Sequence, residues 1–378
     1  MKKGRNLRSV NTDGGVNLQF KLLSAIGIII IVSGHCYHGG MELAYNWFPP
    51  YSYNLALFVF ISGYFYKTDY EENVGKYIWK RTKRLLIPAY LWNIFYGGMV
   101  AFLGLFGFTI GAKPDLYNLF VMPFVDGEAF QYNLGSWFVY PLFLVCIINV
   151  LFRKFLKLIH LDNEFIVLIV YLAIGMIGIN TALENPTAIN GIVKLLVRTM
   201  FFLPCYEFGR FYKAVLEKKD NLNNVAYFAI IFAVQLILLT FCKDLEYTPS
   251  SFTKFNNGFI IPYISSITAI AFWLRVSKLL VPAIGNSKLV RLIADNTYGI
   301  MVNQLVGFMC LKFVFYGLSR ITSGSLFGDF NVASFKSSIW YYYLPNGLQQ
   351  WAFVYLIFGL FVPILLSLIH ISEPTRRS

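Results

Sequence analysis

Long apolar runs with few charges inside them constrain this chain more than any other feature of its sequence. Ten runs can be drawn, and most approach the length of about 20 residues that a helix needs to cross a bilayer core. They cover residues 20–38, 53–66, 88–108, 134–152, 163–181, 193–212, 225–242, 258–275, 295–316 and 350–369. Because lipid offers no partner to a backbone N–H or C=O group, such runs favour α-helices. We therefore predict an all-α, polytopic membrane helix bundle of about ten spans, in which the short second run and the charged sixth run are the least typical.

The distribution of Lys and Arg predicts how these spans are oriented. With the N-terminus placed in the cytoplasm, 22 of the 32 basic residues fall in inner segments and 8 in outer segments. Cytoplasmic loops carry such an excess, so the count predicts an even number of spans with both termini inside. Because the net charge of +13 arises largely from these short segments, we expect a partner in the lipid bilayer and none in nucleic acid.

The chain contains no evident internal repeat or low-complexity segment, which favours a single domain over residues 1–365. Residues 366–378 end the last apolar run abruptly in a polar tail. The stretch 366–376 can be back-translated to a common sequencing-library adapter, so we expect a non-native tail there. The codons that encode it test this expectation, and a codon series unlike the adapter would contradict it.

The first candidate for chemistry is His35, which lies near the outer end of the first apolar run. Ionisable residues inside a span are costly and usually face other helices or a cavity. An imidazole titrates near neutrality, so it can take a proton from an alcohol and return it to a leaving group. Ser24, Gly27 and Ile31 precede it at helical spacing and share its face. The alternative is an interfacial histidine bonded to neighbouring backbone.

The second candidate is the basic cluster that contains Lys80, Arg81 and Arg84, shortly before Pro88. On a helix, residues three apart project from one face, so both arginines could meet one ligand. Guanidinium groups grip phosphate with two parallel hydrogen bonds, which suits a phosphorylated cytoplasmic ligand. The alternative is a juxtamembrane cluster that binds anionic lipid or sets topology.

Taken together, these features resemble the acyltransferase-3 family of bacterial membrane acyltransferases, which modify surface polysaccharides and related glycans. The resemblance rests first on the order of His35, the segment 58–65 with its Ser-Gly pair, and the Arg81-x-x-Arg84 motif. Later segments agree more loosely and extend the resemblance over nearly the whole chain. They are residues 133–138, 201–209 and 297–303.

The resemblance implies an enzyme that draws an acyl group, usually acetyl, from acyl-CoA on the cytoplasmic side and gives it to a sugar hydroxyl. Arg81 and Arg84, with Lys80 beside them, would hold the phosphates of CoA, and His35 would activate the acceptor hydroxyl. It also implies a bacterial cytoplasmic membrane as the location. We expect acyl-CoA as a co-substrate, no permanently bound cofactor and no metal.

Several other polar or aromatic residues could line such a site. They are Ser24, Ser62, Asn133, Trp137, Glu207, Tyr298 and Asn303. Two of them depart from the family pattern, because relatives often carry Arg or Lys in place of Ser24 and commonly end the late motif with His where Asn303 stands. Glu207 could instead simply pair with Arg210, three residues later.

Two alternatives to the enzyme remain open at the level of sequence. A transporter or flippase for a glycan or lipid-linked sugar fits the composition, although the internal repeats common in transporters are not evident. A non-catalytic sensor domain or a degenerate relative is the weaker alternative. The aromatic residues 340–343 near the end of a long outer loop could form an interfacial belt or a lid over an acceptor site. The pairing of His35 with Arg81-x-x-Arg84 favours the enzyme.

Overall fold

The computed structural model describes residues 12–13, 16–37, 40–41, 47–127, 130–185 and 189–370. Nearly all regular structure in these ranges is helical, which confirms the predicted all-α class. A short antiparallel hairpin pairs β1 (Thr12–Asp13) with β2 (Val16–Asn17). The α-helices are α1 (Leu18–His35), α2 (Asn54–Tyr64), α3 (Val74–Arg81), α4 (Ile87–Gly104), α5 (Met122–Val125), α6 (Val139–Leu158), α7 (Glu164–Glu184), α8 (Gly191–Phe211), α9 (Asn224–Phe241), α10 (Ile261–Ile284), α11 (Lys288–Asp295), α12 (Thr297–Ile321), α13 (Val332–Ser337) and α14 (Trp351–His370).

Each of the ten apolar runs contains a helix, although the helices differ in their fitness to cross a membrane. The second helix, α2, has 11 residues and at 1.5 Å per residue is about 16 Å long, half of a bilayer core. The sixth run forms α8, which is long enough but carries four charged residues. Seven segments of the described ranges are long and apolar enough to span, namely Leu18–His35, Val74–Gly104, Gln131–Leu158, Glu164–Glu184, Asn224–Phe241, Ile261–Ile284 and Thr297–Ile321.

Polar residues at the ends of the apolar runs determine where several helices begin. The side chain of Asn163 accepts a hydrogen bond from the backbone N–H of Phe165 and caps α7. Asn223 caps α9 in the same way by accepting from Ala226. Each cap satisfies one of the N–H groups that the first turn of a helix leaves without a partner. Pro88 lies in the first turn of α4, directly after the π-helical turn Thr82–Leu86, and has no N–H to donate to the turn before it.

The chain divides into two compact units, which are described separately. The first unit comprises Met1–Gly27, Ala44–Leu85 and Pro141–Asp295, and the second comprises Ile28–Leu43, Leu86–Tyr140 and Asn296–Ser378. Helix α1 contributes its N-terminal part to the first unit and its C-terminal part to the second. The last eight residues of the predicted non-native tail, 371–378, lie outside the described residues.

In the first unit, α8 packs against both α2 and α7, and glycines set how closely α2 and α8 approach. A Cβ atom on Gly63 of α2 would overlap the carbonyl oxygen of Tyr206 on α8. A Cβ on Gly209 of α8 would likewise overlap the carbonyl oxygen of Phe60 on α2. Small residues at such crossings let two backbones come together. The Ser-Gly pair in the segment 58–65 therefore has a packing role.

We expect Gly63→Ala to lower the free energy of unfolding by about 1–3 kcal/mol, because an inserted methyl group forces backbone apart in a packed interface. The thermal unfolding midpoint of the purified protein in detergent measures this change. The matched control is Gly75→Ala in α3, where a new Cβ would meet no atom within 4 Å. Equal midpoints for the two variants would show that α2 and α8 do not depend on this crossing.

In the second unit, α12 packs against α14 and against the 3-10 segment Gln131–Phe138. Two glycines permit these approaches. A Cβ on Gly135 would overlap the carbonyl oxygen of Met301, and a Cβ on Gly307 would overlap the carbonyl oxygen of Phe358. Helix α12 is accordingly buried over most of the stretch from Ile300 to Lys312, and it supplies the polar side chains described next.

Candidate active site

His35 is the last residue of α1, and its half-buried imidazole meets α12 of the same unit. Its Nδ1 atom lies 3.3 Å from Oε1 of Gln304, a side chain that is 2% exposed. The amide of Gln304 is oriented in turn, because its Nε2 donates to the carbonyl oxygen of Met301 at 3.2 Å. A Cβ atom at position 135 would overlap this same carbonyl oxygen, so the glycine there permits the close approach.

This pair of hydrogen bonds determines the proton positions on His35. Because the amide nitrogen of Gln304 donates to Met301, its oxygen faces the imidazole and can only accept. In the neutral ring Nδ1 therefore carries the proton and Nε2 carries the lone pair. A neutral imidazole held in one tautomer by an acceptor at Nδ1 has the arrangement of a general base.

Two of the aromatic residues 340–343, Trp340 and Tyr342, contact this histidine. The hydroxyl of Tyr342 donates to the backbone carbonyl of His35. The ring of Trp340 lies 6.1 Å from the imidazole, centre to centre, with the planes tilted by 43°. We call residues 340–343 the aromatic wall. Its role as an interfacial belt or as a lid over an acceptor site stays a prediction.

Lys312 of α12 is completely buried and contacts the segment that carries these aromatic residues. Its ammonium donates to the backbone carbonyl of Ile339 at 2.7 Å and stands 5.5 Å from the ring centre of Tyr342. Tyr343 is fixed as well, since its hydroxyl donates to a carboxylate oxygen of Asp329 at 3.2 Å. Burial, together with this carboxylate, raises the pKa of Tyr343 to about 12, so the phenol stays a protonated donor near neutral pH.

Asn303 belongs to a second polar group in the same unit and does not face His35 in the way Gln304 does. Its Oδ1 accepts from the hydroxyl of Tyr96 on α4, and its Nδ2 is buried with no hydrogen-bond partner among the described residues. On the same helix as Tyr96, Oδ1 of Asn93 accepts from Nδ2 of Asn133 at 3.3 Å. Consecutive residues on a helix point about 100° apart. Gln304 therefore reaches the imidazole while Asn303, one position earlier, points towards Tyr96.

Two further predicted lining residues belong to the second unit. Trp137 is 6% exposed and its ring meets that of Phe138 edge to face. Tyr298 is half-buried in the first turn of α12. Both lie on the elements that Gly135 brings together.

The basic cluster of the first unit spans a change of helix type. Arg81 is the last residue of α3, and Arg84 lies in a π-helical turn over Thr82–Leu86. A π turn is wider than an α turn, so residues three apart diverge more than in a continuous α-helix. The side chain of Arg81 folds back onto Tyr77, with Nε donating to the phenol oxygen at 3.0 Å. Arg84 and Lys80 are exposed, so the two arginines occupy different environments.

Ser24 and Ser62, also in the first unit, use their hydroxyl groups inside their own helices. Ser24 donates to the carbonyl oxygen of Phe20 at 2.8 Å, and Ser62 donates to that of Phe58 at 3.0 Å. Such bonds to the residue four positions earlier are the usual way a span satisfies a serine. Both side chains are half-buried, and their role in lining a site stays a prediction.

Glu207 is completely buried in an ion network of the first unit. Both its carboxylate oxygens accept from Nη2 of Arg153, at 2.9 and 2.8 Å. The same nitrogen donates to Glu164 at 2.6 Å, and Glu164 also receives Arg210 at 3.0 Å. Glu207 therefore pairs with Arg153 and not, as the sequence suggested, with Arg210, which binds Glu164 instead. These bonds give the buried carboxylate of Glu207 a charged partner, and its role in lining a site stays a prediction.

The predicted site residues thus fall into two groups, each described within its own unit. The second unit holds His35, Asn133, Trp137, Tyr298 and Asn303, and the first holds Ser24, Ser62, Lys80, Arg81, Arg84 and Glu207. Sequence reasoning missed Gln304 and Lys312, although a buried lysine in an apolar run is a recognisable signal. No group of three or more His, Cys, Asp or Glu among the described residues could hold a metal ion.

Comparison with known proteins gives one clear finding. A family model described as "Acyltransferase domain", the acyltransferase-3 model, matches residues 17–371. This range includes every element from α1 to α14. Neither a curated protein nor a solved structure matches the chain significantly.

Proposed function

The chain belongs to the acyltransferase-3 family, and from this premise we propose that it transfers an acyl group from acyl-CoA to a hydroxyl of a cell-envelope glycan. Family membership decides the class, because it makes the chain an acyltransferase rather than a transporter or flippase. The acetyl group as cargo, acyl-CoA as donor and a bacterial envelope glycan as acceptor are parts of the proposal.

The contact between Nδ1 of His35 and Oε1 of Gln304 is the observation that supports this reaction most strongly. In the proposed step, Nε2 takes the proton of the acceptor hydroxyl while the oxygen attacks the thioester carbonyl carbon. The ester C–O bond forms, the C–S bond breaks, and the imidazolium returns the proton to the departing thiolate of CoA. Direct transfer of this kind needs no covalent acyl-enzyme.

The proposed donor site uses the exposed cations of the basic cluster. Lys80, Lys83 and Arg84 are all exposed, so their charges are available to the phosphates of CoA. Arg81, packed on Tyr77, contributes its charge from a more buried position. With the N-terminus inside, as the distribution of Lys and Arg predicts, this cluster faces the cytoplasm, where acyl-CoA is found.

We expect Arg84→Ala to raise the KM for acetyl-CoA by about 10- to 100-fold, because a hydrogen bond to a charged group is worth about 1.5–3 kcal/mol. The KM for the acceptor should stay the same. Initial rates of acyl transfer at varied donor and acceptor concentrations measure both constants. Lys154→Ala is the matched control, because it removes another exposed charge on the same predicted side, outside the cluster. A parallel rise in both KM values would assign Arg84 to folding or topology.

The proposed function as a whole is tested by incubating purified protein in liposomes with radiolabelled acetyl-CoA and a panel of envelope glycans. Label that becomes covalently bound to glycan, as an ester released by mild alkali, is the expected result. Parallel assays with succinyl-CoA and longer acyl-CoAs identify the cargo. Failure of transfer from every donor to every glycan would contradict the proposal.

A further inference from the structure

Trp340 is the one exposed member of the aromatic wall, and its ring lies close to the imidazole of His35. Its side chain is 38% exposed, whereas Ile339 before it and Tyr343 after it are 2% and 5% exposed. Tyr341 and Tyr342 are half-buried. An aromatic residue that served only as an interfacial anchor would have no reason to hold its ring 6.1 Å from an imidazole.

The backbone on both sides of Trp340 is fixed. Immediately before it, the carbonyl oxygen of Ile339 accepts from the buried ammonium of Lys312. Two residues after it, Tyr342 bonds to the backbone of His35, and the N–H and C=O of Tyr343 both bond to the hydroxyl of Tyr355, at 3.2 and 3.1 Å. A lysine buried this completely is costly in a membrane protein, so the bond it makes indicates that the position of this backbone segment matters.

The chemistry of an exposed indole next to a general base suggests which ligand it receives. Indole offers a large, rigid and largely apolar face with few rotatable bonds. The C–H face of a pyranose ring is apolar while its edge carries hydroxyl groups. A sugar ring that lies on Trp340 at a carbon–carbon distance of about 3.5–4 Å presents its edge hydroxyls towards the neighbouring imidazole.

We propose that Trp340 is the acceptor platform of this enzyme, and that it selects cyclic sugars over open-chain polyols. The inference rests on the proposed function, since it takes His35 to be the group that receives the acceptor proton. Lys312 is a positioning residue in this scheme, because it acts on the acceptor only through the backbone that carries Trp340. The platform is a specificity determinant and takes no part in proton transfer.

The test compares wild type with Trp340→Ala, Trp340→Leu and Trp340→Phe at saturating acetyl-CoA. Initial rates are measured against a methyl pyranoside and against the open-chain alditol with the same number of carbons. We expect the Ala and Leu variants to raise the KM for the pyranoside by about three- to tenfold, the range for a lost aromatic contact. Their kcat, their KM for acetyl-CoA and their KM for the alditol should stay the same, and Phe should restore most of the loss.

The control is Trp47→Ala, which removes a tryptophan of the first unit with a similar exposure of 40%. An equal rise of KM for pyranoside and alditol in the Trp340 variants, or the same rise in Trp47→Ala, would overturn the platform. So would an effect on kcat alone. A wild-type protein that transfers to neither acceptor would overturn the proposed function first, and the platform with it. The Leu variant keeps an apolar side chain at position 340, so the comparison survives poor folding of the Ala variant.

Discussion

Acyl transfer is expected to fall by about 10²- to 10⁴-fold when His35 is replaced by alanine, the range that a positioned general base contributes. The variant loses the lone pair on Nε2 that accepts the hydroxyl proton, and no other described side chain bonded to Gln304 can replace it. Insertion and folding should be unchanged, because the half-buried ring stands at the end of α1 and its contact with Gln304 of α12 is long, at 3.3 Å. Rates are measured with radiolabelled acetyl-CoA and the best acceptor of the panel.

Two further variants make this result specific. Gln304→Leu removes the acceptor of the Nδ1 proton and should lower kcat by roughly 10- to 100-fold, the scale on which partners that orient a reactive imidazole act. His160→Asn changes an exposed histidine of the first unit at a left-handed backbone position that Asn tolerates, and should leave the rate as it is. Undiminished transfer by His35→Ala would remove the imidazole from the mechanism.

Replacing Arg153 with methionine is expected to lower the free energy of unfolding by about 3–5 kcal/mol, which is the cost of leaving a buried charge without its partner. Glu207 is 0% exposed and accepts from Arg153 through both oxygens. Glu164 would keep a partner in Arg210, so the loss is concentrated on Glu207. Unfolding in detergent, followed by heat or denaturant, measures the change.

The double variant Arg153→Met, Glu207→Met separates charge from packing. Replacing both partners by apolar groups of similar size removes the stranded charge, so most of the lost stability should return. Lys154→Met is the control for an exposed charge, because Lys154 follows Arg153 on α6 and its side chain is exposed; it should change stability by less than about 1 kcal/mol. A double variant as unstable as the single one would show that the network acts through shape rather than charge.

Much of the fold was predictable because membrane spans are local features of the sequence. An apolar run must form a helix wherever lipid is its solvent, and all ten predicted runs contain one. The least predictable details were those that neighbouring helices decide. Helix α2 stays short and packs on α8 through glycine crossings. The π turn at Thr82–Leu86 separates two arginines that a regular helix would have placed on one face.

The candidate site was predictable only where a single residue type carried the signal. His35 stood out as an ionisable group in an apolar run, but its partner Gln304 lies 269 residues away, and no local pattern encodes that contact. The sequence pointed to Asn303, one position before the residue that meets the imidazole. Likewise, Arg153 and Glu207 are 54 residues apart, so the proximity of Glu207 to Arg210 in sequence suggested a pairing that folding does not form.

The central claim is that the imidazole of His35 takes the proton of the acceptor hydroxyl during direct transfer from acyl-CoA. Single-turnover transfer, with wild type and His35→Ala each in excess over radiolabelled acetyl-CoA in the same liposomes, tests it most directly. We predict that wild type converts the label to glycan ester with no labelled protein intermediate, while His35→Ala leaves the label on CoA. Equal glycan labelling by both proteins, or label that accumulates first on the wild-type chain, would contradict the account.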